Sequence, residues 1–142
     1  MSSKRYVFDT NTLVSALLFE HSTPGQALLK ALQLGEILFS QATLEEMADV
    51  LQREKFDRYV TTAQREQFLE ALVERATFIE TTEKVQVCRD TRDDKFLGLA
   101  ISGNAAYIIS GDNDLLSLHP FRDVAVITPA EFLAAIKKED KE

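Results

Sequence analysis

The chain is poor in the residues that staple or interrupt a fold. A single cysteine, Cys88, occurs in 142 residues. No disulfide can close within the chain, and this usage fits a reducing compartment. Three prolines and five glycines argue against disordered linkers, and no internal repeat or low-complexity stretch breaks the sequence. Positive charge is in deficit. Against 23 Asp and Glu stand 16 Lys and Arg, a formal net charge of −7, with a pI near 4.9. That argues against broad nonspecific binding to nucleic acid, which needs a basic face, and does not exclude a local basic rim. Long apolar runs are missing too. "LVSALLF" (13–19) falls far short of the ~20 residues that span a bilayer. "MSSKRYVFD" meets an acid after three apolar residues, unlike a signal peptide. The expectation is one soluble, cytoplasmic domain over residues 1–142, with 137–142 a frayed tail.

What is present suffices for a core. The hydrophobic fraction is 45%, and a chain of this length buries about two-thirds of its unfolded surface. "RYVF" (5–8), "EILFS" (36–40), "VQVC" (85–88), "AYIIS" (106–110) and "VAVIT" (124–128) read as strands. Helical patterns lie between them at 12–19, 25–35, 43–56, 62–79, 93–104 and 129–138, with a short helix after "GDNDLL". Thr23 can cap the second helix, with Pro24 at home in its first turn. Alternation of this kind implies an α/β fold: a three-layer α/β/α sandwich around a mainly parallel sheet of four or five strands.

In such a sheet, ligands bind beyond the carboxyl ends of the strands. Asp9 follows the first strand directly. Ser110 and Asp112 follow strand 106–110, Asp93 opens the helix leading into it, and Glu46 falls in the first turn of the helix after strand 36–40. Each acid has an ordinary alternative. Asp9, Asp93 and Asp112 can cap helices, Thr43 and Glu46 match a capping box, and Asp114 suits a helix N-terminus. His21 and His119 lack ligand spacing, and Cys88 reads as a small core residue. Capping, however, accepts Ser, Thr and Asn as readily as Asp. It does not demand an acid each time at one end of one sheet. Clustered carboxylates raise each other's pKa, and a divalent cation is the usual compensation. Oxygen ligands select Mg²⁺ or Mn²⁺ over Zn²⁺.

"YVFDTNTLVSALL" (6–18), "SQATLEEMADVL" (40–51) and "CRDTRDDKFLGLAISGNAAYIISGDNDLLSL" (88–118) resemble the successive motifs of the PIN-domain family of metal-dependent ribonucleases. The likeness is to the bacterial and archaeal branch described as toxins of toxin–antitoxin pairs. The resemblance implies that Asp9, Glu46, Asp93 and Asp112 are the catalytic and metal-holding acids, supported by Asn11, Ser110 and Asp114. Glu45 competes with Glu46, and Asp94 with Asp93. Asp93 has Phe96 and Ala100 at the family's apolar spacing. A proline usual before the third acid is absent from "DTRD" (90–93).

The resemblance further implies hydrolysis of single-stranded RNA by water, assisted by one or two Mg²⁺ or Mn²⁺ ions, and a small antitoxin as partner. Arg89, Arg92 and Lys95 are the first candidates for phosphate contacts, and Arg53, Lys55 and Arg58 the second. Helices 25–35 and 43–56 offer a face for the antitoxin or for a second copy in a homodimer. Two other readings compete: a noncatalytic module of the same fold that binds RNA or protein, and a haloacid-dehalogenase-like phosphatase. The latter needs a second acid where this chain has Asn11.

Overall fold

The computed structural model describes residues 4–140. Strands β1 (Lys4–Phe8), β2 (Gly35–Phe39), β3 (Thr77–Phe78), β4 (Tyr107–Ile109) and β5 (Ala125–Ile127) form one sheet in the order β3-β2-β1-β4-β5. Every pairing is parallel. Seven α-helices connect and cover it: α1 (Thr10–Leu18), α2 (Thr23–Leu34), α3 (Gln41–Leu51), α4 (Thr62–Arg75), α5 (Asp94–Ser102), α6 (Asn113–Leu116) and α7 (Pro129–Asp140).

Side chains alternate between the faces of a strand, so each strand divides its apolar residues between two cores. Tyr6, Phe8, Ile37, Phe39, Ile109 and Ile127 join one core, with α2, α3, α4 and α7 over it. Val7, Leu38, Ile108 and Val126 join the other, under α5 and α6. Phe132 on the first side and Leu97 on the second are fully buried, each worth about 1.5–3 kcal/mol. Both faces are therefore covered, as a parallel sheet requires. Among the described residues, no helix is long and apolar enough to cross a membrane.

The structure moves several expected boundaries. Ser22, not Thr23, caps α2 by accepting from the Gly25 amide. Ser40 and Thr43 make the capping box of α3 between themselves, and Glu46 takes no part. Gln41 begins α3, which puts Glu46 in its second turn. That helix stops at Leu51 because the buried Arg65 guanidinium donates to the carbonyls of Leu51 (3.0 Å) and Arg53 (3.2 Å). The helix expected over 62–79 ends at Arg75. Thr77 and Phe78, β-branched and aromatic, pair with Leu38 and Phe39 instead. Residues 85–88 form no strand. The amides of Val87 and Cys88 both donate to Asp94 Oδ1 (3.1 and 2.8 Å), so no ladder can use them. Residues 137–140 belong to α7: Glu139 binds Lys4 (2.8 Å) and the Tyr107 hydroxyl (3.2 Å), which holds the last turn. Residues 141–142 lie outside the described residues.

Candidate active site

Chain order reverses between the central strands β1 and β4. Connections leave that point in opposite directions, which opens a crevice at the carboxyl ends of the strands. Asp9 and Ser110 are the residues that step off these strands. Asp9 is only 5% exposed. It caps α1: its Oδ1 accepts from the Thr12 amide at 2.8 Å, and its Oδ2 accepts the Ser110 hydroxyl. Burial pushes its carboxyl above the ordinary aspartate value, while the Ser110 and Thr12 bonds draw it back. Ser110 is itself fully buried and accepts the Asp112 amide at 2.9 Å. One hydroxyl thus fixes two acids.

Asp112 caps α6 and accepts the Asp114 amide at 2.8 Å. Asp93 ends a 3-10 turn, Thr91–Asp93, and caps nothing. Its Oδ2 is buried with no hydrogen-bond partner. Desolvation first, and the charge of Asp112 next, push its carboxyl up to about 6. Oxygens of Asp93, Asp112 and Asp114 lie within 4.8 Å of one another. Burying an acceptor without a donor costs on the order of 1–3 kcal/mol. The chain leaves Asp93 Oδ2 in that state facing two further carboxylates. An all-oxygen set with an orphaned lone pair fits a hard divalent cation.

Glu46 stands differently. Lys95 Nζ lies 2.9 Å from one of its oxygens, and the Thr10 hydroxyl donates to the other. All four acids expected from sequence, Asp9, Glu46, Asp93 and Asp112, line one cavity of about 200 Å³. The close carboxylate group comprises Asp93 and Asp112, which line the cavity, and Asp114, which stands beside them outside its lining. Asn11 is exposed at the cavity wall. Of the competing acids, Glu45 is exposed and bonded by Gln41, and Asp94 is engaged with the 87–88 backbone.

The basic residues separate as well. Arg92 is exposed at the cavity and paired with Asp90 at 2.8 Å, which pulls Asp90 down to about 2. Lys95 turns inward to Glu46 and is no free rim cation. Arg89 is exposed and stands outside the cavity lining. Arg53, a second-rank candidate, lines it. Thr10, which follows Asp9 where the chain turns into the pocket, bonds Glu46. One contributor carries no sequence signal. Arg65 lay inside an amphipathic helix, with nothing to show that it fixes the backbone beside Arg53.

Comparisons with known proteins bear on the family and the fold. A family model described as PIN domain matches residues 5–114, a span that contains the four cavity acids. An uncharacterized protein of Methanocaldococcus jannaschii, MJ1680, is 29% identical over 144 residues, covering 94% of this chain and 92% of its own. PAE2754 from Pyrobaculum aerophilum superposes with a TM-score of 0.61 at 17% identity, over 92% of this chain and 88% of that one. VapBC2 from Rickettsia felis, solved bound to a promoter DNA fragment, gives 0.58 at 15% identity, over 86% and 96%. The two structural likenesses establish the fold: a parallel five-stranded sheet between helical layers.

Proposed function

The chain belongs to the PIN-domain family, and from that premise we propose that it is a Mg²⁺- or Mn²⁺-dependent endoribonuclease. It cuts single-stranded RNA by direct attack of water, as the toxin of a toxin–antitoxin pair. The observation that carries the reading is the buried, unpartnered Asp93 Oδ2 beside Asp112 and Asp114.

Asp93 and Asp112, with Asp114 beside them, are the residues that would hold the cation. Asp9 faces the same cavity and is kept in one rotamer by Ser110 and Thr12. A bound divalent ion supplies a lowered pKa for water and neutralises charge on the phosphate. Glu46, held by Lys95 and Thr10, borders the space where the attacking water enters and accepts a hydrogen bond from it. Arg92 and Arg53 receive phosphate oxygens at the cavity mouth, which supplies the local basic rim an acidic protein needs for RNA. No covalent enzyme intermediate is required. The one thiol, Cys88, is buried, and desolvation followed by Asp94 pushes it up to about 12, far from a nucleophile's range.

The test is cleavage of a labelled single-stranded RNA in Mn²⁺ or Mg²⁺, in EDTA, and by Asp112→Asn. Cutting in the metal alone is expected. Cutting that persists in EDTA or in Asp112→Asn overturns the reading, and tight binding without cutting favours a noncatalytic module. The toxin role is supported by the fold shared with VapBC2. It is also supported by exposed apolar residues for a partner: Leu29 on α2, and Phe19 packed edge-to-face against Tyr59 at 6.2 Å. Expression alone should arrest growth, and co-expression of the neighbouring reading frame should restore it. Normal growth on expression alone counts against a toxin.

A further inference from the structure

The acids have a cavity on each side. One is the cavity with Arg53 and Arg92. The other, about 530 Å³, shares Asp9, Asn11 and Asp112 with the first and runs on past Ser15, Thr23 and Gly111. None of its described lining residues is Lys, Arg or His. Hydroxyls, an amide and a bare backbone suit an uncharged hydrogen-bonding group, whereas phosphate would seek the arginines opposite.

Gly111 is the second observation. A glycine is usually needed for a positive φ or for close packing of the chain on itself. Neither holds here. Among the described residues no glycine has a positive φ. A Cβ at Gly111 would meet nothing within 4 Å, whereas at Gly25 and Gly35 it would come within 2.2 and 2.1 Å of a carbonyl oxygen. What a side chain at 111 would do is occupy the open space beside Asp112. The bare backbone at Gly111 leaves this space open to close approach by something outside the chain.

We propose that this cation-free cavity seats the ribonucleoside adjoining the scissile phosphate, with Gly111 leaving room for its sugar and base. Ser15, Thr23 and the Asn11 amide offer hydrogen bonds to the 2′-hydroxyl and base edge, the groups by which a protein tells RNA from DNA. The strand then crosses the acids with phosphates on the arginine side and a nucleoside on the glycine side. The inference rests on the nuclease reading and names a substrate subsite of that same centre.

Gly111→Leu and Thr23→Trp fill the cavity from its near and far walls. The probes are a fluorescein-labelled oligouridylate, its deoxy counterpart, and Mn²⁺ alone, with thermal unfolding as the check on folding. Both variants should bind Mn²⁺ as the wild type does and bind the oligouridylate in EDTA about tenfold more weakly. They should also lose the wild type's preference for ribo- over deoxy-probe. If Gly111→Leu unfolds early, Thr23→Trp decides. A wild type that cuts no oligouridylate in Mn²⁺ overturns the nuclease reading. A wild type that cuts, while the folded variants bind and cut equally well, overturns the subsite alone.

Discussion

Asp9 and Asp93 face the same cavity but are delivered by opposite kinds of structure. Asp9 steps off the central strand into a helix, and both of its oxygens have donors from the chain, Thr12 and Ser110. Asp93 arrives on a short 3-10 turn at the end of a long connection, caps no helix, and keeps one oxygen buried without a donor. The first acid belongs to the scaffold as much as to the site. The second is left unsatisfied by the fold. Facing the cavity and contributing to stability are therefore separate properties here, and experiment can pull them apart.

The sharpest separation comes from the two acids themselves. Asp93→Asn should lower RNA cleavage and Mn²⁺ affinity by more than about 100-fold, with no loss of thermal stability in EDTA. Asp9→Ala should lose about 1 kcal/mol of stability through the missing cap, seen by urea unfolding. If Asp93→Asn destabilises the metal-free chain as much as Asp9→Ala does, the contrast is false. Ser110→Ala tests the scaffold side. It strips a donor from Asp9 and an acceptor from the Asp112 amide, so cleavage should fall by about 10–100-fold, with roughly 1–3 kcal/mol of stability lost in the same unfolding assay. Wild-type cleavage in Ser110→Ala would show that Asp9 needs no positioning.

Smaller effects probe the surroundings. Lys95→Met frees Glu46 from its cation and leaves the cavity more negative. Mn²⁺ affinity should rise a few-fold, in line with the ~0.2–1 kcal/mol of a partly exposed pair. Unchanged or weaker binding by calorimetry would mean that Lys95 does not offset the acids. The smallest effect is one of pH. Asp93 titrates at about 6 when folded, against ~3.9 in an unfolded chain. Between these values the folded state binds more protons. The stability this group contributes is complete below the unfolded value and is lost as pH rises through the folded one. In EDTA the wild-type melting temperature should drop between about pH 4 and 6. Asp93→Asn should show a shallower drop over that window, and equal slopes would remove Asp93 as the source.

The alternating architecture was legible because each of its signals is local. "RYVF", "EILFS" and "VAVIT" carry strand chemistry in their own residues, and the parallel order follows from helices between them. The third strand was misplaced because "VQVC" has the right alternation, while the amides that a ladder would use are taken by Asp94, six and seven residues away. β3 has two residues, too few to show any period. At the site, Asp9 and Asp112 could be placed at strand ends by counting. That Lys95 turns to Glu46, that Asp114 joins Asp93, and that Arg53 reaches the cavity depend on side-chain direction across separate elements. The pattern along the chain carries no record of those directions. Gly111 was visible as a letter in "SGD", but its meaning lies in the empty volume around it.

The sheet is narrow at its borders. Its outermost strands, β3 and β5, have two and three residues, with few backbone amides and carbonyls to offer a passing chain. A wide open margin would invite another molecule to add a strand and begin a fibre. Here crowding at high concentration should instead proceed through side-chain contacts, leaving assemblies that dissolve again on dilution.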